Sequence, residues 1–224
     1  MYLSPTPRIL FLRELVGEIA RNYGRGRSIV AVDGIDGAGK TSFADDLAAV
    51  FREAGHDAYR ASMADFHRPR ADRWRLGRES PETFYRDSFD YVTFRRVLVD
   101  PFRLAGSAGF QTAAFDVRRD APIESRWVTA PADAVLIVDG VFLVRPELRG
   151  LWNYSILLEV PWDEAYARLA ERDGVDPDPD ALSNVRYREG QELYFAEADP
   201  RQWASALVDN ADPAEPRRLF ADSC

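Results

Sequence analysis

Apolar positions change their spacing several times along this chain, and each change marks an element. Between residues 7 and 23, Ile9, Leu10, Leu12, Leu15, Val16 and Ile19 recur at the spacing of an amphipathic helix. The unbroken run Ile29-Val30-Ala31-Val32 reads as a buried strand. Helical spacing returns with Phe43, Ala44, Leu47, Ala48, Val50 and Phe51 and ends near Ala54, where Gly55 stands in the position of a C-terminal cap. Asp57 to Ser62 reads as a second strand. Val135-Leu136-Ile137-Val138-Asp139 is the most apolar strand, Ser155 to Val160 another, and Ala206 to Asp209 a weaker, final one. Helical segments at about 162–173 and 180–198 separate them. Strands alternating with helices predict an α/β fold whose five-stranded sheet is mainly parallel, with right-handed crossovers. The last dozen residues read as a loosely held tail.

One connection is too long for a simple crossover. Roughly 70 residues separate the second strand from the one ending at Asp139, against a usual minimum of ~10–12. Within this insertion (about 66–132), Asp87-Ser88-Phe89-Asp90 is expected to open a helix running to about Val99. Phe110–Val117 and Ile123–Val128 alternate well enough for a hairpin. Such insertions often carry specificity. The stretch Asp173 to Asp180, rich in Pro and Asp, is the best candidate for a mobile loop, and a lid is expected over about 172–189. No repeat or linker breaks the chain, so residues 1–224 are read as one domain.

Between the first strand and the helix after it lies Gly34-Ile35-Asp36-Gly37-Ala38-Gly39-Lys40-Thr41, which fits G-x-x-x-x-G-K-[ST]. Strand, glycine loop and helix are the context in which this pattern cradles phosphate. Glycines let the backbone wrap the anion, and the N–H groups at the new helix's N-terminus point at it. Asp36, Gly37, Ala38, Gly39, Lys40, Thr41 and Ser42 are therefore candidates for nucleotide binding. Lys40 can reach the β- and γ-phosphates of ATP, and the Thr41 hydroxyl can bind Mg²⁺.

Composition narrows the partners. The formal net charge of −8 argues against broad binding to nucleic acid or anionic membranes. An anionic nucleotide then needs a local positive pocket, which the glycine loop supplies. The one cysteine, Cys224, permits no intramolecular disulfide and no multi-cysteine metal site. With no long apolar run and no leader-like N-terminus, a soluble cytoplasmic protein is expected. A homo-oligomer stays open.

Other polar residues sit where chemistry could use them. Asp139 ends the most apolar strand, and ligands in open parallel sheets bind beyond such strand ends; it can hold Mg²⁺ or its water, or simply cap the turn before Gly140. Asp65, just after the second strand, could accept a proton from an attacking hydroxyl. His67 beside it could contact substrate. Asp87 and Asp90 could cap a helix or recognise hydroxyls. Arg168 and Arg172 before the mobile loop, and Arg186 and Arg188 after it, could close over a transferring phosphoryl group or lie on a solvated face. The aromatic residues Phe84, Tyr85, Phe89, Tyr91 and Phe94 read as core.

Over roughly residues 25–215 the chain resembles the phosphoribulokinase/uridine kinase family of P-loop kinases, most of all its uridine kinase-like members. The resemblance is carried by Gly34–Thr41, Asp65-Phe66-His67-Arg68-Pro69-Arg70, Ser80-Pro81-Glu82 through Tyr85, and Asp87-Ser88-Phe89-Asp90-Tyr91. It continues in Val138-Asp139-Gly140-Val141-Phe142-Leu143, Arg172-Asp173, Arg186-Tyr187, Gly190-Gln191, Leu193-Tyr194 and Val208-Asp209-Asn210. It implies a P-loop NTPase fold that transfers the γ-phosphate of ATP to a hydroxyl of a small metabolite, a nucleoside such as uridine or cytidine first of all. It also implies ATP and Mg²⁺ at Lys40, Thr41 and Asp139, a lid holding Arg172, and an acceptor bound near His67, Asp90, Phe115 and Tyr187. Pantothenate, a sugar or a modified nucleoside are alternative acceptors.

One departure is serious. Relatives carry a catalytic aspartate two positions before the phenylalanine of the Asp-Phe-His motif, and here that position is Ala64. Three explanations compete: Asp65 has taken over as base, the chain binds nucleotide with weak or no turnover, or Ala64 is an engineered replacement that traps a bound complex. Phe84 also stands where some uridine kinases hold a carboxylate.

Overall fold

In the computed structural model, which describes residues 2–220, the parallel sheet forms because its central strands are apolar on both faces. β1 (Ser28–Gly34) is buried throughout: Ile29 and Ala31 enter one core, Val30 and Val32 the other. The strands β2 (Ala58–Ser62), β5 (Val135–Asp139), β6 (Tyr154–Glu159) and β7 (Ala206–Asp209) join it, and β8 (Arg217–Leu219) lies at the edge. Their order is β2-β5-β1-β6-β7-β8, and only β8 runs antiparallel. The sheet thus has six strands rather than the expected five. The tail expected to hang loose instead pairs with β7 through residue 219, because backbone hydrogen bonding at an edge needs no apolar pattern. Cys224 lies outside the described residues.

Helices cover both faces. α1 (Pro7–Tyr23) starts where the Thr6 hydroxyl accepts the Ile9 N–H and Pro7 needs no donor. It buries Leu12, Leu15, Val16 and Ile19 with the apolar face of α2 (Lys40–Glu53) on one side of the sheet. The other side is covered by the insertion. It holds α3 (Arg70–Arg73), α4 (Pro81–Asp87), α5 (Tyr91–Phe94), α6 (Asp100–Leu104) and a small hairpin of β3 (Phe115–Asp116) and β4 (Ala121–Pro122). The expected helix opening at Asp87 is corrected: Asp87 closes α4, and Asp90 is the N-cap of α5, accepting the Thr93 N–H at 2.9 Å. From α5 the chain passes through a π-turn at 95–99 into α6. Pro101 has no N–H for the Val97 carbonyl, which accepts the Gln111 N–H instead at 2.8 Å. Edge-to-face contacts between Phe66 and Phe94, Phe84 and Phe142, and Phe102 and Phe110 fill this second core.

After β6, α7 (Trp162–Asp173) ends at Gly174, and α8 (Val185–Ala198) begins five residues later than the pattern implied. The short α9 (Pro200–Trp203) leads into β7. Residues 174–184, inside the stretch expected to form a lid (about 172–189), hold neither helix nor strand. No helix among the described residues is long and apolar enough to cross a membrane.

Candidate active site

The phosphate cradle is fixed by backbone demands that only glycine meets. Gly37 has φ 79° and lies against α7, where a Cβ would come 2.2 Å from the Ala165 carbonyl oxygen. Gly39, at φ 83°, takes the cap position of α2 without any side-chain cap. The first N–H groups of α2 therefore remain open to a ligand. Two further contacts brace the loop from helices on either side of the lid. Arg168 of α7 donates to the carbonyls of Gly37, Asn210 and Ala211. Gln191 of α8 accepts the Asp36 N–H at 2.7 Å. Beneath the loop, Asp33 is fully buried and accepts from the Gly34 N–H, the Val144 N–H and the Tyr194 hydroxyl. Burial still pushes its carboxyl group above the ordinary range.

The strand register then brings the second element of the site to the loop. Asp139 at the end of β5 pairs with Val32 of β1 on one side and Ser62 of β2 on the other. Its Oδ2 accepts from the Thr41 hydroxyl at 2.8 Å. Its Oδ1 accepts from Arg60 at 2.9 Å, and Arg60 also donates to Asp45 of α2 at 2.9 Å. Lys40 folds back over the loop, with Nζ 2.7 Å from the Ile35 carbonyl and 3.9 Å from Asp36. Lys40, Thr41, Ser42, Asp139 and Gly140 all line one cleft of ≈580 Å³.

On the acceptor side, the chain after β2 forms a single 3₁₀ turn, Met63–Phe66, capped by the Ser62 hydroxyl. Ala64 lines the cleft; Asp65 does not. Asp65 is half-buried, and its carboxyl group is raised first by burial and then by the charge of Asp139. His67 lines the cleft and two further cavities. Its Nδ1 donates to the Ala64 carbonyl at 2.7 Å, which leaves Nε2 as an acceptor. Burial, then the charges of Arg73 and Arg186, hold its pKa below the ordinary value of 6.5, so the ring is neutral near pH 7. Asp90 and Phe115 line the cavity on the far side of His67, away from the nucleotide cleft. Asp116 spends its carboxylate on the N–H groups of Arg118 and Arg119 in its own turn.

The residues on and beside 174–184 divide by their contacts. Arg172 lines the cleft and the cavity beneath the lid, exposed and forked onto Asp173. Tyr187 lines both as well. Arg168 is a brace for the P-loop, as described above. Arg188 pairs with Asp180 and Glu192 and stacks over Trp162. Arg186 is buried and turned toward the insertion.

The fold that carries this glycine loop and strand-ending aspartate is similar to those of known structures. A possible uridine kinase from Bacillus stearothermophilus superposes with TM-score 0.69 and 23% identity, over 89% of this chain and 96% of that one. A candidate fructose transport system kinase from Silicibacter sp. TM1040 gives TM-score 0.63 and 26% identity, over 94% and 97%. Phosphoribulokinase from Rhodobacter spheroides gives TM-score 0.55 and 16% identity, over 83% and 70%. The chain has the P-loop kinase fold shared by uridine kinases and phosphoribulokinases. No protein-family model matches the sequence, and no curated protein does.

In this P-loop kinase fold the residues present suit a magnesium nucleotide. The open N-terminus of α2, the two left-handed glycines and Lys40 make an anion cradle. The Thr41 hydroxyl and the Asp139 carboxylate, 2.8 Å apart, are the oxygen donors that Mg²⁺ uses alongside phosphate oxygens and water. No cluster of three or more His, Cys, Asp or Glu that could hold a metal ion exists among the described residues. The site also includes residues that sequence reasoning passed over. Arg60 and Asp45, which orient Asp139, come together only through strand register. Gln191 and Tyr194 were legible as part of a motif but not as supports of the loop.

Proposed function

We propose that this chain binds MgATP and transfers its γ-phosphoryl group to a hydroxyl of a small metabolite. The observation that carries the reading is the meeting of Lys40, Thr41 and Asp139 in one cleft with His67, which opens into the cavities of the insertion. In this reading the α2 amides and Lys40 hold the phosphates, and Thr41 and Asp139 hold the metal when the nucleotide is bound. His67, neutral with a free Nε2, accepts a hydrogen bond from an acceptor hydroxyl. Arg172 exchanges Asp173 for the transferring group as the lid closes. The acceptor oxygen forms the new bond to phosphorus, the bond from phosphorus to the bridging oxygen breaks, and the hydroxyl proton goes to base or solvent. Binding and orientation supply most of the catalysis.

A nucleoside is the acceptor suggested by the family resemblance, with a sugar or pantothenate as alternatives. Ala64 favours a second reading, in which the chain binds nucleotide with little turnover. Its methyl group lies in the cleft and takes no proton, whereas Asp65, whose raised pKa would suit a base, lies off the cleft lining.

The test is thermal stabilisation by MgATP, with Lys40→Met as control, followed by ADP release across nucleosides, sugars and pantothenate. Stabilisation lost in the control together with acceptor-dependent ADP release supports the kinase. Stabilisation without release for any acceptor supports the second reading, and no nucleotide effect at all overturns both.

A further inference from the structure

Next to the cleft, bordered by His67, lies a cavity of ≈490 Å³ that holds three arginines. His67, Phe84 and Tyr187 border both spaces, so the cavity and the nucleotide cleft share a wall of three side chains. Its volume is that of a small-metabolite site. Three arginines and one carboxylate line it: Arg73, Arg78 and Glu79 from the insertion, and Arg186 from the start of α8.

Their charges are incompletely matched. Arg73 pairs with Asp120 at 3.0 Å, and Arg78 lies 3.5 Å from Glu79 at the exposed rim. Arg186 is only 5% exposed, and among the described residues no carboxylate lies within ion-pair distance of it. Its guanidinium group donates to the backbone carbonyls of Arg73, Arg78 and Ser80, which pins that segment around the cavity. Those carbonyls satisfy its hydrogens but not its charge. A buried cation left without a counter-ion is costly, and two more arginines beside it add repulsion. Burial lowers the Arg186 pKa first of all; Arg73 and Arg78 add to this and Tyr187 and Glu79 oppose it without reversing it, and the field of Arg73 and Arg186 reaches His67. An arrangement of this kind is stable in use when an anion completes it. Guanidinium groups match the oxygens of phosphate and carboxylate in fork geometry.

We propose that this cavity binds an acidic group of the acceptor, so that the substrate is a small hydroxylated metabolite carrying a phosphate or a carboxylate, not a neutral nucleoside. The acidic group sits among Arg73, Arg78 and Arg186, and the hydroxyl to be phosphorylated reaches past His67 toward Lys40 and Asp139. This rests on the kinase reading above and narrows its substrate class.

The experiment is calorimetric titration of the protein already saturated with a magnesium complex of a non-hydrolysable ATP analogue, which keeps anions out of the P-loop. Failure of the analogue to bind would sink the kinase reading itself and is scored separately. The probes are ribose 5-phosphate against ribose, glycerate against glycerol, and inorganic phosphate. The anionic member of at least one pair is expected to bind about 10- to 100-fold more tightly than its neutral partner, the range for hydrogen bonds to charged groups. Which pair responds distinguishes phosphate from carboxylate. The preference should shrink with added salt and fall in the Arg73→Gln/Arg78→Gln double variant, checked for folding by circular dichroism, to the share that Arg186 alone supports. Arg186→Gln should lower it too, but that variant also frees three carbonyls, so the exposed Arg78→Gln alone serves as the safe single change, with a partial loss. Equal binding of charged and neutral partners, a preference undiminished in the double variant, or no binding by any anion including phosphate would each overturn the proposal.

Discussion

Replacing Ala64 by aspartate is the sharpest perturbation of the proposed site. The side chain at 64 lines the cleft with Lys40 and Asp139, on an exposed turn that is already capped by Ser62. A carboxylate there stays solvated, so it escapes the burial that raises Asp65, and it remains ionised at neutral pH. Positioned general bases contribute about 10²–10⁴-fold, equivalent to about 3–5 kcal/mol of barrier. The stability change should stay within about 0.5 kcal/mol, since no buried contact is touched. Coupled ADP-release kinetics at saturating MgATP, with and without acceptor, should therefore show kcat for Ala64→Asp rising by two orders of magnitude or more, with KM for ATP nearly unchanged. Ala64→Asn, which matches the shape but accepts no proton, should not reproduce the gain. A rise below about tenfold with intact MgATP binding would refute the reasoning. So would an equal rise without acceptor, because the new carboxylate would then be activating water.

Four further outcomes follow from the structure. Gly37→Ala puts a methyl group 2.2 Å from the Ala165 carbonyl at φ 79°, so thermal denaturation should show a lower Tm and no stabilisation by MgATP. Arg60→Met leaves Asp139 without its second partner; the Mg²⁺-dependent part of nucleotide stabilisation, measured with and without chelator, should weaken about tenfold. Tyr194→Phe removes one of three donors to the buried Asp33 and should cost about 1–3 kcal/mol by denaturant unfolding. The Glu18 carboxyl group is held below its ordinary 4.5 chiefly by the hydrogen bond from Arg218, so the folded-state pKa lies under the unfolded one. Its contribution is present above pH 4.5 and is lost as pH falls through the folded value; calorimetry should find the Tm deficit of Glu18→Gln at pH 7 and see it shrink in acid.

What could be read from sequence followed periodicity and local chemistry. β1, β5 and the α2 face are long, apolar and regular, and the glycine loop is a contiguous pattern, so both were legible. β8 was not, because Arg217-Arg218-Leu219 has no apolar rhythm and is held by its neighbour's backbone. α4 carried a start signal in Ser80-Pro81-Glu82, yet seven residues are too few for a helical period to show. In extended backbone, neighbours such as Ala64 and Asp65 would point to opposite sides; the backbone there is a 3₁₀ turn, and of the two Ala64 alone lines the cleft. The Arg60–Asp139 pair joins residues 79 positions apart, a contact that strand order creates and no local window contains.

The two braces on the P-loop have a consequence for how this fold can vary. Arg168 and Gln191 grip the cradle from the helices that flank residues 174–184, and Ala165 backs Gly37 from the first of them. Both ends of the lid are thereby moored to the same eight-residue loop before the chain between them begins. The chain between these moorings can therefore change in length and composition while the glycine loop keeps its shape.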